Sequence, residues 1–414
     1  MEKRIYGLLG RKLGHSYSPL IHKELGNPDY ELIELEPEEL GEFLKKDDIG
    51  GLNVTIPYKI DVMPYCHLSP EAETIGAVNT IVNRDGELWG YNTDQDGFKY
   101  MVKQAGIHMA GKKVIILGDG GASRTAVYCA GVLGAREVTV ISLFSEENNY
   151  TNLYKHYDAE IIVNCTPVGM YPKNGESLVD LKDFPKCSGV VDVIYNPQRT
   201  KLIMQAESLG IPHTGGLPML TAQAKRAAEL FFDIEIPDES IEKITADIAR
   251  SCENIVLIGM PGGGKTTIGK ALAEMTGRPI YETDDMIVEA AGKSIPEIFA
   301  EDGEEEFRRI EHEVLCEAGK KSGAIIMTGG GVVTRPENYE PIHQNGEIYE
   351  IVRNIDDLAM DGRPLSKSLD TLREMYKVRH PMYVQFRDCE IINDTTPEDA
   401  AARIWRDFGE NTGD

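Results

Sequence analysis

The feature that most constrains this chain lies at residues 254–266. Residues 254–258 (NIVLI) have the apolar character of a buried strand, and the next eight residues, GMPGGGKT, match G-x-x-x-x-G-K-[ST] before a helical stretch. Glycines let backbone N–H groups turn towards a phosphate, and the following helix N-terminus adds partial positive charge. We therefore predict a nucleoside triphosphate site in which Lys265 reaches the outer phosphates and Thr266 binds Mg²⁺. The residues assigned to the nucleotide are Gly262, Gly263, Gly264, Lys265, Thr266 and Thr267.

Composition places further limits on the chain. Its 414 residues exceed what one core usually supports, so the long stretch before the phosphate-binding loop should form a separate fold. The net charge of −25 argues against nucleic acid or an anionic membrane as a partner, although a single site can still be basic. Seven cysteines without C-x-x-C spacing favour free thiols in a reducing compartment. With no signal-peptide or membrane-spanning pattern, we expect a cytoplasmic protein.

Four polar clusters occur in the first hundred residues. They are GHSYSP at 14–19, GLNVTIPYK at 51–59, GAVNT at 76–80 and GYNTD at 90–94. The serines of the first cluster could simply cap a helix, and polar residues on one strand face are often only solvated. Together, however, neutral polar groups with one lysine and one aspartate suit a polyhydroxylated substrate and a proton-transfer pair.

These clusters resemble the shikimate dehydrogenase family in motif, order and spacing. The resemblance implies that Lys59 and Asp94 form the catalytic pair, which delivers a proton to oxygen while hydride reaches carbon. It also implies a set of residues that hold the hydroxyls and carboxylate of shikimate. These are Ser16, Ser18, Asn53, Thr55, Asn79 and Asp94.

A dinucleotide-binding pattern follows at residues 112–124. A buried-type strand leads into GDGGASR and then an alanine-rich helix, which together resemble the G-x-G-G-A signature of the same family. The cofactor residues are then Gly118, Gly120, Gly121, Ala122 and Ser123. After the next strand the NADP-dependent members carry Asn-Arg-Ser/Thr, whereas this chain has Ser142-Leu143-Phe144-Ser145 followed by two glutamates. The family usually uses NADP, whereas a loop with two glutamates and no cation favours NAD. We therefore expect NADP, with NAD as an alternative.

Three later segments complete the resemblance to the dehydrogenases. The loop at 161–170 would pass under the nicotinamide and contribute Thr166, and Tyr195 aligns with a tyrosine that contacts the substrate. The segment GGLPMLTAQA at 215–224 resembles a helix in which Gln223 returns to the substrate. Gly216 and Met219 of that segment would lie near the nicotinamide.

The last part of the chain resembles shikimate kinase. Asp284 matches the carboxylate that orients the shikimate hydroxyl, and Glu282 stands where the family has an aspartate near Mg²⁺. The motif GExxFRxxE at 303–311 supplies Arg308 for the substrate carboxylate, a task that an arginine fork suits.

Three further matches carry the same resemblance. Gly329, Gly330 and Gly331 form the triple-glycine loop facing the substrate. Arg363 of the mobile lid would stabilise charge on the transferring phosphoryl group. Arg379 would give a second arginine for the carboxylate.

We therefore predict an α/β protein in which a two-domain shikimate dehydrogenase precedes a P-loop kinase domain with a parallel sheet. The expected parts are a substrate-binding domain at 1–100 completed by helices near 217–236, a Rossmann domain at 101–216, a linker at 237–252 and a kinase domain at 253–414. The chain would reduce 3-dehydroshikimate to shikimate with a nicotinamide cofactor and then phosphorylate shikimate from MgATP.

Three alternatives stay open at this stage. The dehydrogenase could prefer quinate, which a threonine in place of Ser18 would have favoured. The P-loop domain could be a regulatory nucleotide-binding module without catalysis. The fusion could also serve as a scaffold that channels an intermediate. The oligomeric state is not predicted.

Overall fold

The computed structural model describes residues 4–14, 16–358 and 369–411. Contacts divide the chain into two compact units. The first comprises residues up to Met170, Glu176–Tyr195 and Leu202–Thr245, and the second comprises Tyr171–Gly175, Asn196–Lys201 and the chain from Ala246 onward. No helix within the described ranges is both long and apolar enough to cross a membrane.

A mixed sheet opens the first unit. Its strands are β1 (Ile5–Gly10), β2 (Glu31–Glu34), β3 (Ile49–Val54), β4 (His67–Leu68), β5 (Thr80–Arg84) and β6 (Glu87–Tyr91), in the order β2-β1-β3-β5-β6-β4. The helices of this region are α1 (Ser18–Glu24), α2 (Leu40–Phe43), α3 (Pro70–Ile75) and α4 (Asp94–Gln104). β1 runs parallel to β2 and β3, while β5 is antiparallel to β3 and β6. Every residue of β3 is buried, so this central strand is covered on both faces.

A parallel sheet forms the rest of the first unit. Its strands are β7 (Lys113–Leu117), β8 (Glu137–Ile141), β9 (Ile161–Asn164), β10 (Gly189–Asp192) and β11 (His213–Thr214), in the order β11-β10-β9-β7-β8. The accompanying helices are α5 (Gly121–Val132), α6 (Lys201–Ser208) and α7 (Leu217–Phe232). On β7, Val114 and Ile116 enter one apolar cluster, whereas Ile115 and Leu117 enter another. This alternation explains the unbroken apolar run, because a parallel strand covered on both faces has no solvated side.

Helix α7 also packs against the first sheet. Phe231, near its end, lies against Tyr6 and His22, while Met219, near its start, belongs to an apolar cluster under the parallel sheet. One helix therefore contacts both parts of the unit.

The second unit is built on a parallel sheet of its own. Its strands are β12 (Asn254–Ile258), β13 (Ile280–Glu282), β14 (Ile325–Met327), β15 (Gly346–Val352) and β16 (Cys389–Ile392), in the order β13-β14-β12-β15-β16. The helices are α8 (Glu239–Cys252), α9 (Lys265–Thr276), α10 (Thr283–Ala291), α11 (Ile295–Glu301), α12 (Gly303–Gly319), α13 (Tyr339–His343), α14 (Leu369–Phe386) and α15 (Pro397–Asn411). The division between the two units falls inside α8.

Two layers of apolar side chains enclose this sheet as well. Ile255 and Leu257 of β12 enter one cluster, and Val256 and Ile258 enter the cluster on the opposite face. Open parallel sheets of this kind bind ligands at the carboxyl ends of their strands. The predicted α/β fold class, with parallel-sheet domains, is confirmed.

Candidate active sites

A cavity of about 360 Å³ in the first unit collects most of the residues predicted to hold the substrate. Its lining comprises Leu8, Lys12, Leu13, Ser16, Ser18, Asn53, Val54, Thr55, Lys59, Asn79, Asp94, Ala122, Val193, Tyr195, Gly216, Met219, Leu220 and Gln223. Each of the four polar clusters contributes to this wall. Polar groups widely separated in sequence therefore face one space.

Lys59 and Asp94 form an ion pair at this cavity. Lys59 Nζ lies 2.6 Å from Asp94 Oδ2, and their side chains are only 22% and 15% exposed. Asp94 is the first residue of α4, so its side chain lies at the helix N-terminus. The second oxygen, Oδ1, accepts a 2.8 Å hydrogen bond from Asn79 Nδ2. The ammonium is thus fixed in one place, as proton transfer to a bound substrate requires.

Asn79 connects the pair to the surrounding structure. Its Oδ1 accepts a 2.6 Å hydrogen bond from the backbone N–H of Thr93, which fixes the orientation of the amide. Asn79 Nδ2 also lies 3.5 Å from Gln223 Oε1 on α7. Gln223 therefore projects from an otherwise packed helix into the polar wall.

Asn53 is held by residues that sequence reasoning missed. Its Oδ1 accepts a 2.8 Å hydrogen bond from the Tyr30 hydroxyl, and its Nδ2 donates to Thr80 Oγ1 at 3.2 Å. The ring of His22 stacks on Tyr30 with centroids 3.9 Å apart. Burial lowers the pKa of His22 to about 3, so the ring is neutral. Neither aromatic residue lies in a recognisable motif, and only the tertiary packing places them here.

The two serines lie at the start of α1 without capping it. Tyr17 is the N-cap residue and no side chain caps this helix, although Ser16 Oγ accepts a 3.2 Å hydrogen bond from the backbone N–H of Ser18. Both residues also border the cavity, together with Lys12, which the sequence argument did not select. Lys12 could have been selected from its position just before the serine loop, because a cation is a suitable partner for a substrate carboxylate.

The dinucleotide-binding loop has the shape that a pyrophosphate requires. Gly118 has φ +96°, and a Cβ there would come within 2.8 Å of Thr166 Cγ2. A Cβ on Gly120 or Gly121 would meet nothing within 4 Å, which leaves the N-terminus of α5 open to an anion. The residues thus fit a dinucleotide. Ser123 is buried in α5.

Three of the residues predicted to bind the dinucleotide also line the substrate cavity. Ala122, Gly216 and Met219 line the same space as Lys59. A Cβ on Gly216 would collide with the backbone carbonyl of Val193, so this position requires glycine. The predicted cofactor and substrate residues are therefore adjacent.

A second cavity, of about 670 Å³, lies in the other unit at the phosphate-binding loop. Predicted residues on its wall are Gly262, Gly264, Lys265, Thr266, Thr267, Glu282, Asp284, Arg308, Gly329, Gly330, Gly331 and Arg379. Gly263 lies within the loop, where its carbonyl accepts a 2.8 Å hydrogen bond from Asn393 Nδ2. The lid residue Arg363 lies outside the described residues.

The loop itself has the conformation of a phosphate cradle. Gly262 and Gly264 have φ +83° and +101°, values that L side chains rarely adopt. Lys265 Nζ bends back to donate to the carbonyls of Gly259 at 2.8 Å and Met260 at 3.1 Å. Thr266 donates a 2.7 Å hydrogen bond to Glu282 Oε1. A hydroxyl and a carboxylate side by side fit Mg²⁺, which usually takes few protein ligands and keeps several waters.

The triple-glycine loop lies against charged groups. A Cβ on Gly329 would come within 2.9 Å of Asp284 Oδ1, and one on Gly331 within 2.6 Å of Arg308 Nη2. The carbonyl of Gly330 accepts a 2.9 Å hydrogen bond from Arg379 Nη1. Because these three glycines carry no side chains, the carboxylate of Asp284 and the guanidinium groups of Arg308 and Arg379 can all approach the same loop.

Glu311 is a further residue that the motif contained without a role. It is buried and accepts a 2.7 Å hydrogen bond from Arg308 Nη1. Burial raises the pKa of Glu311, while the neighbouring Arg308 opposes that shift. The contact aims the guanidinium at the triple-glycine loop.

Known proteins match both parts of the chain. Residues 8–81 match the shikimate dehydrogenase substrate binding domain, and residues 261–408 match shikimate kinase. A shikimate dehydrogenase (NADP(+)) from Clostridium perfringens (strain 13 / Type A) is 34% identical over 266 residues, covering 59% of this chain and 98% of that protein.

Solved structures resemble the same part of the chain. A chorismate mutase/shikimate 5-dehydrogenase fusion protein from Clostridium acetobutylicum is 36% identical with a TM-score of 0.56, covering 59% of this chain and 97% of that one. A shikimate 5-dehydrogenase from Listeria monocytogenes, solved in complex with shikimate and NAD, is 31% identical with a TM-score of 0.53, covering 58% and 96%.

The folds and sites define a nicotinamide-dependent oxidoreductase joined to a P-loop kinase. The chain belongs to the shikimate dehydrogenase family, and residues 261–408 form a shikimate kinase domain. It is a bifunctional enzyme of the shikimate pathway.

Proposed function

We propose that the first site reduces 3-dehydroshikimate to shikimate through Lys59 and Asp94. The observation that carries this assignment is the 2.6 Å ion pair on the wall of the substrate cavity. Ala122, Gly216 and Met219 would hold the nicotinamide end of NADPH, which would supply the hydride for the carbonyl carbon and leave as NADP⁺. Lys59 gives a proton to the carbonyl oxygen, and Asp94 keeps the lysine oriented towards it.

The remaining polar residues of the cavity bind the ring. We assign the substrate carboxylate to Ser16, Ser18 and Lys12, which line the cavity, since hydroxyls and a cation are suitable partners for it. Asn53, Thr55, Asn79, Tyr195 and Gln223 offer hydrogen bonds to the hydroxyls. A site with fixed amides discriminates strongly, because a wrong substrate leaves buried polar groups unpaired.

The second site phosphorylates the 3-hydroxyl of shikimate. Arg308 and Arg379 hold the substrate carboxylate, and Asp284 orients the hydroxyl that attacks. Lys265 leaves its loop carbonyls to contact the phosphates of ATP, and Arg363 completes the neutralisation of charge. Thr266 and Glu282 hold Mg²⁺, which neutralises the phosphate oxygens when bound.

Net charge and cysteine content also bear on the partners and the location of the protein. The partners are small-molecule substrates, and the acidic net charge of −25 disfavours nucleic acid and anionic membranes. No disulfide joins the seven cysteines within the described ranges, and we propose a cytoplasmic location from this pattern. We retain the predicted boundaries at 1–100, 101–216, 237–252 and 253–414 as the working division of the chain.

Two assays on the purified full chain test the function. The first follows shikimate oxidation with NADP⁺ and with NAD⁺ in the absence of ATP. The second follows shikimate-dependent ADP formation in the absence of a nicotinamide cofactor. We expect turnover in both. Oxidation of quinate but not of shikimate would show that quinate is the substrate of the first site. ADP formation independent of shikimate would contradict the kinase assignment.

A further inference from the structure

The adenosine end of the dinucleotide site differs from the family pattern. In a Rossmann fold, the residue at the carboxyl end of the second strand reads the adenine ribose. That strand is β8, and residues 142–149 after it contain two glutamates and no lysine or arginine. Leu143 and Phe144 of this loop are 77% and 87% exposed, so apolar side chains occupy its surface. A 2′-phosphate therefore meets no positive charge in this loop.

The carboxylate of Asp119, in the loop after the neighbouring strand β7, nevertheless reaches the carboxyl end of β8. Asp119 follows Gly118 in the glycine-rich loop, and β7 pairs with β8 in parallel with Leu117 opposite Ile141. The hydroxyl of Ser142 donates a hydrogen bond to Asp119 Oδ2. Asp119 is itself exposed, so a ligand can reach its carboxylate.

Two other contacts fix this arrangement. The backbone N–H of Gly118 donates to the carbonyl of Ile141 at 2.8 Å, which joins the two strand ends. Ser142 is buried, and its Oγ accepts a 3.1 Å hydrogen bond from the backbone N–H of Phe144. The serine hydroxyl has a single O–H donor, and its acceptor is Asp119 Oδ2.

We propose that Asp119 contacts the adenine ribose and opposes a 2′-phosphate, so that the enzyme accepts NAD as well as NADP. A carboxylate accepts hydrogen bonds from ribose hydroxyls, whereas it repels a phosphate in the same place. This inference rests on the dehydrogenase function proposed above. It assigns to the glycine-rich loop the role that the end of the second strand has in other dinucleotide sites.

Arg124 is the competing group nearby. It lines a cavity of about 470 Å³ together with Asp119, and its guanidinium lies 3.5 Å from the carbonyl of Gly76. If Arg124 instead governs the choice of cofactor by binding a 2′-phosphate, then Arg124→Ala and not Asp119→Asn will change the preference. The two variants therefore separate the two explanations.

The test compares kcat/KM for NADP⁺ and NAD⁺ in the wild type, Asp119→Asn and Asp119→Ala. We expect the NADP⁺-to-NAD⁺ ratio to rise about tenfold in both variants, because a hydrogen bond to the ribose is lost and a repulsion is removed. Inhibition by adenosine 2′,5′-bisphosphate should strengthen relative to 5′-AMP. The two inhibitors report on binding at the adenosine end of the site, so this measurement does not depend on comparing turnover with two cofactors. Ser142→Ala should shift the ratio in the same direction by a smaller factor.

Glu147→Gln is the matched control, since it removes the same charge from the exposed part of the loop. An equal shift in Glu147→Gln would overturn the proposal, because general electrostatics would then explain the change. A ratio unchanged in both Asp119 variants, with turnover preserved, would also overturn it. Absence of wild-type shikimate oxidation with either cofactor would instead contradict the dehydrogenase function itself.

Discussion

Thr266 and Glu282 are joined by a hydrogen bond of 2.7 Å between Oγ1 and Oε1. Glu282 is the last residue of β13, and its carboxylate reaches the hydroxyl of the phosphate-binding loop directly. Mg²⁺ binding must therefore change or share this contact.

Glu282→Ala should raise the Mg²⁺ concentration needed for half-maximal kinase activity by about tenfold, because one carboxylate near the metal is lost. Glu282→Asp should retain most of the activity, since its charge is preserved. A magnesium titration of ADP formation measures both variants. An unchanged magnesium dependence in Glu282→Ala would show that the carboxylate has no part in metal binding.

Lys59→Ala should lower kcat of shikimate oxidation by about 10²- to 10⁴-fold, the usual contribution of a positioned acid–base group. Asp94→Asn should also lower it, because the lysine loses the partner that fixes it. Kinase activity of the same preparations should be unchanged. Lys45→Ala, on an exposed lysine paired with Glu42, is the control. Near wild-type kcat in Lys59→Ala would remove the lysine from the chemistry.

Gly331→Ala should weaken shikimate binding in the kinase without a backbone penalty. Gly331 has φ −100°, which any residue adopts, but its new Cβ would lie 2.6 Å from Arg308 Nη2. The guanidinium must move, so we expect the kinase KM for shikimate to rise about tenfold or more while KM for ATP changes little. Gly131→Ala, whose Cβ meets nothing within 4 Å, is the steric control. Equal changes in both KM values would point to a general disturbance of the domain.

Glu347 should make stability depend on pH. Burial, with help from the charges of Asp388 and Glu253, raises the pKa of Glu347 from its ordinary 4.5 to about 7, although Arg199 opposes the shift. The folded protein then keeps a proton that the unfolded chain releases, so this contribution to the free energy of unfolding is full below pH 4.5 and is lost as pH rises towards about 7.

Thermal unfolding of the wild type and Glu347→Gln at several pH values between 4.5 and 8 checks this sign. We expect Glu347→Gln to reduce the fall of the unfolding midpoint with rising pH. Glu317→Gln, on an exposed carboxylate, should leave the slope as it is. A slope that is equally steep in Glu347→Gln would assign the titration to other carboxyl groups.

Much of the fold and of the candidate sites could be predicted from local patterns in the sequence. The phosphate-binding loop was predictable because strand, glycines and helix are adjacent, and each condition concerns only the local backbone. The same holds for GDGGASR at 118–124. The polar clusters were recognisable because their residue types, order and spacing resembled a known family.

The partners of these residues were not predictable in the same way. Tyr30 holds Asn53, which lies 23 residues further along the chain, and only the packing of β3 brings the two side chains together. Glu311 and Arg308 are different, because they stand three residues apart on α12 and their contact follows from the helix itself.

The sequence by itself determined the class of each domain, the nucleotide loop and the lysine that we propose for each site. The tertiary structure decided how these groups are held and which acid lies beside the end of β8. Asp119 and Ser142 illustrate the difference, since each belongs to its own strand end and only the pairing of β7 with β8 brings them together. The physical reason is that backbone conformation depends on neighbouring residues, whereas a hydrogen bond between distant residues depends on the packing of the whole domain.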